Sequence, residues 1–512
     1  MVLKKVRALA LRCDVHTTAP PDYSRARQSL FLLIAAHVIT MTMFPIIARL
    51  PGPVWDDMME AWAWGQQFQL GYYKHPPLYA WISGLWFRIL PRTDASYYAL
   101  SAINIGAGLA GVWRLSRLLL RGYARLSTVS LLLFAPSYHY LATNFNANTI
   151  LLSIWPWTAY YFVKSLQSNS WQDGIAFGVL CGCALLGKYY SILLLVSCFL
   201  AALLHPRRRT YFRSAAPYCA VAACATVFAP HAWWAINSGL PTVAYALAKC
   251  ARQMPLNTYS AITTGLVAIV ANALGATILL VALGRRWMVL VCRVWRSWKS
   301  PQCAWLMMLG FGPIVLTLAL GIVGYVKVAP NFLIPTVYIL PLLVLIAIGP
   351  ALTPRRACAI MIAAALFMVF TLAVSPIVAY ASVTLRLDDR ARISPDVAMA
   401  ATEFWHEEVG APIRIAAGTE AFSLALPFYS ADGPAEFTHF NVRRAPWITP
   451  ERIAREGMVC ACAATDAACL EQAKRYETAE TKRRLRVFQK SFWGVRGTPI
   501  EVIIITVPPR SR

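Results

Sequence analysis

Long apolar stretches constrain this chain more than any other feature. With 58% hydrophobic and only 14% charged residues, it carries far less charge than the roughly 25% that is typical of soluble domains. About eleven apolar segments reach the length that an α-helix needs to cross a bilayer, at residues 29–49, 96–113, 126–142, 147–163, 173–187, 189–205, 212–236, 261–284, 303–325, 331–350 and 357–380. With a further short helix at 76–91, the sequence predicts a polytopic α-helical membrane protein of about 11–13 helices.

The charges are distributed very unevenly along the chain. Thirty-one Lys and Arg but only seven Asp and Glu precede residue 388. When the chain is threaded through the predicted spans, all the basic clusters fall on one side, which is therefore predicted to be cytoplasmic. Basic residues in such short loops are topology signals, so the net charge of +25 does not indicate a nucleic-acid partner. The lipid bilayer is the expected partner.

The last part of the chain has a different composition. Sixteen of the 23 acidic residues lie in 388–512, where short strand and helix patterns alternate. We therefore predict three regions: a cytoplasmic N-terminus at 1–28, a transmembrane domain at 29–385, and a small extracytoplasmic α/β domain at 386–512. In an oxidising compartment Cys462 and Cys469 are candidates for a disulfide; otherwise they are free buried thiols.

Acidic residues are scarce enough to locate any chemistry. From residue 95 to 387 the only one is Asp173, on the predicted cytoplasmic side. A transfer reaction on the opposite side needs a carboxylate base or metal ligand. Unless the C-terminal domain supplies it, that group must come from the 50–95 loop, which holds Asp56, Asp57, Glu60 and Asp94. The simpler alternative is a solvated loop, but its many Trp and Tyr residues favour a site.

Several cations are expected near the same side. The apolar stretch around Lys188 makes that charge costly without a partner. A group of cations opposite a carboxylate suits an anionic ligand such as a lipid phosphate. The alternative is that these side chains only snorkel from helix ends. The full set is Lys74, His75, Lys188, His231, Lys249, Arg252 and Lys327.

Five motifs resemble those of one family. The pattern D-x-x-x-x-W-x-W starts at Asp57, and GYYKHPPL begins fourteen residues later at Gly71. Further motifs are ALLGKYYSILLL and APHAWWAINSGLP, and the tail contains IAAGTEAFSLALPFYS. Together they are similar to the bacterial membrane glycosyltransferases related to protein O-mannosyltransferases. That group includes the aminoarabinose transferases of lipid A and the galacturonosyl transferases of rhizobial lipopolysaccharide.

The resemblance implies a GT-C fold in the bacterial inner membrane and an inverting transfer on the periplasmic face. The donor would be a polyprenyl-phosphate-linked sugar, and the acceptor a glycolipid or glycan such as lipid A. It implies Asp57 as general base, with Asp56 or Glu60 as alternatives. Donor phosphate binding falls to Lys74, His75, Lys188 and Lys327, and substrate binding to Trp62, Trp64, Tyr72, Tyr73, His231 and Arg252.

The sequence departs from the family pattern at four positions. Met58 and Lys74 stand where acidic residues are usual, Asn146 where an Asp is common, and Asn331 where an Arg is common. Losing carboxylates weakens the case for a divalent metal, so no cofactor is predicted firmly. Two other functions stay open: a transporter or flippase of lipid-linked sugars, and a non-catalytic relative. The sugar and the acceptor are not defined by the sequence.

Overall fold

The structure is a computed structural model that describes residues 21–510, apart from 252–261, 268–269, 271–272, 285–291, 293–294, 297, 299, 301–302, 323–327, 349–351 and 388. Its first part is helical. The helices are α1 Pro21–Ala48, α2 Asp56–Gly65, α3 Leu78–Ile89, α4 Asp94–Leu119, α5 Tyr123–Leu132, α6 Leu151–Ser168, α7 Trp171–Gly187, α8 Ile192–Leu204, α9 Arg208–Arg213, α10 Ala216–Asn237, α11 Pro241–Ala251, α12 Ala273–Leu283, α13 Ala304–Ile322, α14 Leu340–Ile348 and α15 Pro354–Thr384.

Apolar composition explains why most of these helices form a bundle. Among the described residues, five helical segments are long and apolar enough to cross a membrane: Tyr23–Ala48, Ala216–Asn237, Ala304–Ile322, Pro330–Ile348 and Pro354–Thr384. Shorter apolar helices lie between them. The fold class predicted from the sequence, a polytopic helical membrane protein, is confirmed. The count of about eleven spans stays a prediction.

Small residues allow two of the helices to pack unusually closely. A Cβ atom on Gly174 would lie 2.2 Å from the carbonyl oxygen of Ala216, and one on Gly178 would lie 2.1 Å from that of Ala220. These glycines are one turn apart on α7, and they face small residues one turn apart on α10. Where the hydrophobic effect cannot drive association, such backbone contact is a principal source of helix packing.

The chain after α15 forms a sheet covered by helices. It comprises α16 Asp389–Val409, β1 Ile415–Gly418, α17 Glu420–Tyr429, β2 Ala435–Thr438, α18 Pro450–Glu456, β3 Met458–Ala463, α19 Ala467–Lys474, β4 Lys482–Phe488, β5 Ser491–Phe492, β6 Val495–Arg496 and β7 Ile500–Val507. The main sheet has the order β2-β1-β3-β7-β4. Strands β1, β2 and β3 are parallel, and β7 is antiparallel to both β3 and β4. We call residues 389–510 the C-terminal unit.

The sequence located most of this unit. The strand at PIRIAAG, the following helix, the Thr-capped helix at TPERIAREG and the closing pair of strands are all present. Thr449 caps α18 by accepting a hydrogen bond from the backbone N–H of Arg452. The short strand β2 was not predicted, and it carries a residue that matters for the site.

The C-terminal unit is bound to the loop between α1 and α4. The end of α17 supplies the carbonyl oxygen of Pro427, which accepts from Trp62 Nε1 at 3.2 Å and from Arg92 at 2.9 Å. Tyr429 donates its hydroxyl to Asp94 Oδ1 at 2.9 Å and accepts from the backbone N–H of Val54 at 3.0 Å. One tyrosine thus joins both ends of this loop to the C-terminal unit.

This contact predicts a stability effect. Replacing Tyr429 with Phe removes the donor to Asp94 and the acceptor for Val54, and each such net hydrogen bond is worth about 1 kcal/mol. We expect a lower midpoint of thermal unfolding in detergent for Tyr429→Phe. The control is Tyr380→Phe, whose side chain is 42% exposed and should leave the midpoint unchanged. Equal midpoints for all three proteins would contradict the assigned contact.

Candidate active site

Helix α2 holds the predicted carboxylates in its first turn. Trp55 precedes the helix in an extended conformation, and its carbonyl oxygen accepts from the N–H groups of Met58 and Met59. Asp56 and Asp57 follow at the helix N-terminus, where negative charge is favourable. Both are exposed, whereas every residue from Met58 to Gly65 is buried. The buried residues of α2 thus fix the helix in the protein, while its two N-terminal carboxylates stay accessible.

Two asparagines fix the carboxylate of Asp57. Asn144 Nδ2 and Asn146 Nδ2 donate to Asp57 Oδ2 at 3.2 and 3.0 Å. The Oδ1 atom of Asn146 accepts from the backbone N–H groups of Asn148 and Thr149 at 2.8 and 3.1 Å. Because those groups occupy the carbonyl end of the amide, its NH₂ end must face Asp57.

The second oxygen of Asp57 is placed differently. In the part of the chain that the structure describes, its Oδ1 takes part in neither a hydrogen bond nor an ion pair. One oxygen is therefore held by two donors while the other can accept a proton from a bound molecule. A general base needs this combination of fixed position and accessible lone pair.

The turn that positions Asp57 also contacts Lys188. Asn148, two residues after Asn146, accepts a hydrogen bond from Lys188 Nζ through its Oδ1. The ammonium group of Lys188 also lies 4.8 Å from the ring centroid of Phe332, a cation–π distance. Lys188 follows the last residue of α7 in an extended conformation. Residues 144–149, which we call the asparagine turn, thus connect a carboxylate and a cation.

Glu60 and Lys74 form a largely buried ion pair. Lys74 Nζ lies 2.5 Å from Glu60 Oε2, with side chains 19% and 8% exposed. Burial raises the pKa of Glu60 to about 7, although Lys74 acts in the opposite direction. Burial also opposes the charge on Lys74, but Glu60 outweighs it and raises the pKa of Lys74. The positive charge of Lys74 is thus directed at Glu60, so Lys74 is less available to bind the phosphate of the donor.

The C-terminal unit contributes a buried carboxylate next to this pair. Glu436, on β2, accepts from Trp64 Nε1 at 3.1 Å and from the backbone N–H of Thr438 at 2.9 Å. Its side chain is 2% exposed. Tyr72 stacks on Trp64 with ring centroids 4.8 Å apart and donates its hydroxyl to the Trp64 carbonyl oxygen at 2.7 Å. Sequence reasoning missed Glu436, because an isolated Glu in a short strand carries no recognisable pattern.

His231 contacts the start of the GYYKHPPL segment from α10. Its Nδ1 donates to the carbonyl oxygen of Leu70 at 2.7 Å, and its Nε2 pairs with the hydroxyl of Tyr189 at 2.5 Å. The neighbouring Gly71 packs against Trp234, and a Cβ there would lie 2.2 Å from that ring. Because His231 is only 1% exposed and both of its ring nitrogens are engaged, it positions the GYYKHPPL segment in this structure.

The aromatic residues predicted to bind substrate are mostly buried. Trp62, Trp64 and Tyr72 are 9%, 1% and 2% exposed and pack between the loop and the C-terminal unit. Tyr73 is half-buried, and the guanidinium of Arg444 lies 4.9 Å from its ring centroid. In this structure the first three have packing roles, whereas Tyr73 remains accessible.

The remaining predicted residues have varied positions. His75 is half-buried beside Tyr79. Cys462 and Cys469 form a disulfide in the C-terminal unit. Arg252 and Lys327 lie outside the described residues. Among the residues that the structure covers, no group of three His, Cys, Asp or Glu side chains could hold a metal ion.

Known proteins are similar to this chain in sequence and in fold. A family model described as dolichyl-phosphate-mannose-protein mannosyltransferase matches residues 74–234. A curated relative, the lipid A galacturonosyltransferase RgtD of Rhizobium johnstonii, is 26% identical over 193 residues, which cover 36% of this chain and 39% of the relative. The match thus spans about two fifths of that relative's length.

Two solved structures have the same fold. They are ArnT from Cupriavidus metallidurans bound to undecaprenyl phosphate and the same protein in the apo state. Each has a TM-score of 0.57 and 12% identity, and the alignments cover 92% and 94% of this chain and 97% and 98% of the ArnT chains.

The fold and the loop therefore define a multi-pass membrane protein of the GT-C type. Within that class, residues 74–234 match the dolichyl-phosphate-mannose-protein mannosyltransferase model, and the fold of the chain is that of the ArnT structures. The resemblance seen in the sequence motifs is confirmed.

The Glu60–Lys74 pair predicts a pH effect on stability. The folded-state pKa of Glu60, about 7, lies above its ordinary value of 4.5. Its contribution to stability is therefore greatest below pH 4.5 and is lost as the pH rises toward 7. In Lys74→Met the pKa of Glu60 should rise further, so stability should keep falling above pH 7, by about 1.4 kcal/mol for each added pKa unit.

The measurement is the thermal-unfolding midpoint in detergent between pH 5 and pH 9. The double variant Glu60→Gln, Lys74→Met is the control, because it removes both charges and should flatten this part of the profile. Parallel profiles for the original protein and Lys74→Met would show that the pair is not formed.

Proposed function

We propose that the protein is an inverting glycosyltransferase that moves a sugar from a polyprenyl-phosphate donor to a lipid acceptor of the cell envelope, on the periplasmic face of the inner membrane. The asparagine turn is the observation that carries the proposal, because its side chains contact both a fixed carboxylate on α2 and a cation that follows α7. The relationship to protein O-mannosyltransferases and the ArnT-like fold support the same reaction class.

The proposed reaction uses Asp57 as general base. The acceptor hydroxyl oxygen attacks the anomeric carbon of the sugar, and its proton moves to Asp57 Oδ1. The bond between the anomeric carbon and the phosphate oxygen breaks, and the polyprenyl phosphate departs with the bonding electron pair. Attack opposite to the departing group inverts the anomeric configuration. Asn144 and Asn146 keep Oδ2 in place, so that Oδ1 needs no rearrangement before it accepts the proton.

Lys188 is the residue we assign to the donor phosphate. Negative charge grows on the departing oxygen as the glycosidic bond breaks, and a positioned ammonium group stabilises that charge. The asparagine turn holds this ammonium group beside Asn148. Lys74 is less suited to the role, because Glu60 occupies it. His75 and Lys327 keep the phosphate role that the resemblance implies for them.

A lipid acceptor is supported by the curated relative. RgtD of Rhizobium johnstonii is named for transfer of galacturonic acid to lipid A. A membrane-embedded acceptor also explains why the proposed base lies on a loop between two membrane helices. The topology, with a cytoplasmic N-terminus and a periplasmic C-terminal unit, follows from the basic loops and the proposed site of reaction.

The assignment of the base is tested by substitution. Asp57→Asn keeps the shape of the side chain but removes its ability to accept a proton, so we expect transfer to fall by a factor of about 10² to 10⁴. The assay measures transfer in membrane vesicles supplied with lipid-linked sugar. Asp56→Asn, one residue away and also exposed at the helix start, is the matched control and should retain transfer. Normal transfer by Asp57→Asn would rule out this base.

The same assay tests the role of Lys188. Lys188→Ala should raise the donor concentration needed for half-maximal transfer by about tenfold, because a charge-assisted contact to phosphate is lost. Asn148→Ala should have a smaller effect in the same direction. Lys164→Ala is the control, since Lys164 pairs with Asp173 at 2.8 Å. An unchanged donor requirement in Lys188→Ala would assign the phosphate to other residues.

A further inference from the structure

A separate cavity lies beside the asparagine turn. It has a volume of about 300 Å³ and lies between the ends of the membrane helices α1 and α15, the residues that precede α2, and the segment Tyr140–Thr143. Thr143 is the residue before Asn144, and Trp55 lies two residues before Asp57. The cavity therefore adjoins the two segments that position the proposed base, and it contains none of the residues assigned above to catalysis or donor binding.

Arg49 forms one charged wall of this cavity. Its guanidinium lies 3.6 Å from the ring centroid of Trp55, and its Nε donates to the carbonyl oxygen of Pro53 at 3.0 Å. These two contacts hold the planar group in a defined orientation. The hydroxyl of Tyr98 is a further partner of Arg49. The fork of a stacked arginine has five N–H donors, so it can also direct donors to a carboxylate or phosphate.

Arg392 forms a second charged wall. This residue is only 6% exposed and reaches back from α16 to donate to Ser382 Oγ at 3.0 Å. Its aliphatic stem passes close to Gly52, where a Cβ would lie 3.3 Å from Arg392 Cγ. An arginine buried to this degree normally has partners within the protein, and Arg392 keeps Ser382 as one of them while it lines the cavity.

The rest of the lining fits the interfacial part of a lipid. Phe44, Val378 and Leu385 line the cavity at the ends of α1 and α15, where acyl chains would meet headgroups. Trp55 also lines it, and its buried indole N–H has no acceptor among the described residues. A ligand with an anionic group, hydrogen-bond acceptors and an apolar continuation matches these walls.

The carboxylate of Asp94 is already engaged elsewhere. Asp94 interacts electrostatically with Arg49 but accepts its hydrogen bond from Tyr429 at 2.9 Å, and the described chain has no ion pair between Asp94 and Arg49. The guanidinium of Arg49 is therefore not in direct contact with this carboxylate.

We propose that this cavity binds the anionic headgroup of a membrane glycolipid, through a phosphate or carboxylate held between Arg49 and Arg392. If the proposed function holds, this lipid is the acceptor of the transferred sugar. The charged group would anchor it at the cavity, and a hydroxyl on the sugar would extend past Trp55 to Asp57.

The test measures lipid binding and does not depend on transfer. The full chain is reconstituted in neutral nanodiscs and titrated with a phosphorylated lipid A, with phosphatidylglycerol, and with inorganic phosphate. Bound lipid is counted by native mass spectrometry. We expect lipid A to bind, and we expect Arg49→Gln and Arg392→Gln to weaken it at least about tenfold.

Two further variants make the result specific. Arg88→Gln is the matched control, because Arg88 stacks on Phe68 at 4.2 Å in the same loop but does not line the cavity; its affinity should be unchanged. Ala381→Phe fills the cavity without removing a charge and should also weaken binding. A folded Ala381→Phe protein with unchanged affinity would overturn the proposal.

The arms of the titration separate the sources of the anion. Equal or tighter binding of phosphatidylglycerol at this cavity would overturn the assignment of the ligand as the acceptor. Binding of inorganic phosphate alone would overturn the assignment of the ligand as a lipid. Asp57→Asn distinguishes this inference from the proposed function, since it should bind lipid A normally while losing transfer. If lipid A binds as expected but neither the original protein nor any variant transfers sugar, the proposed function is wrong and the headgroup site is still supported.

Discussion

The amide of Asn146 is the interaction on which the rest of the proposed site depends. Its carbonyl end is occupied by two backbone N–H groups of the turn that precedes α6, so its NH₂ end has one direction left, toward Asp57. The same turn presents Asn148 to Lys188. A single side chain thereby sets the orientation of the carboxylate, and the turn it closes sets the position of the cation.

The C-terminal unit is part of the loop's structure. Trp64 donates to Glu436 and Trp62 donates to Pro427, so two aromatic residues of α2 have their polar atoms satisfied only by residues more than 350 positions later. A buried indole N–H without a partner costs free energy. The loop and the C-terminal unit are therefore expected to stabilise each other. The C-terminal unit also lies close to Lys74 and Tyr73 of this loop.

The sequence predicted the fold class because apolar length is a direct physical requirement of spanning a bilayer. It also predicted that the 50–95 loop supplies the carboxylate unless the C-terminal domain does, since acidic residues are scarce elsewhere, and this stays a prediction. It could not predict that Trp62, Trp64 and Tyr72 would be buried, because the residues that cover them lie in a distant part of the chain. Asn144 and Asn146 were similarly inaccessible to pattern reasoning. Asn146 was noted only as a departure from an acidic residue, and its role depends on a turn geometry that spacing does not reveal.

The end of α17 has a consequence for the order in which the protein assembles. The carbonyl oxygen of Pro427 lies where a helix has no further N–H groups of its own to offer, and Trp62 and Arg92 supply the missing donors. Arg92 also donates to the carbonyl oxygen of Ser430, which accepts from the N–H of Gly433 as well. Those donors are synthesised more than 330 residues before the oxygens they serve. During biogenesis these donors in the first loop therefore remain hydrated until most of the chain has been synthesised and can supply their acceptors. Closure of this loop is thus one of the last steps of maturation, and only a nearly complete polypeptide can reach it.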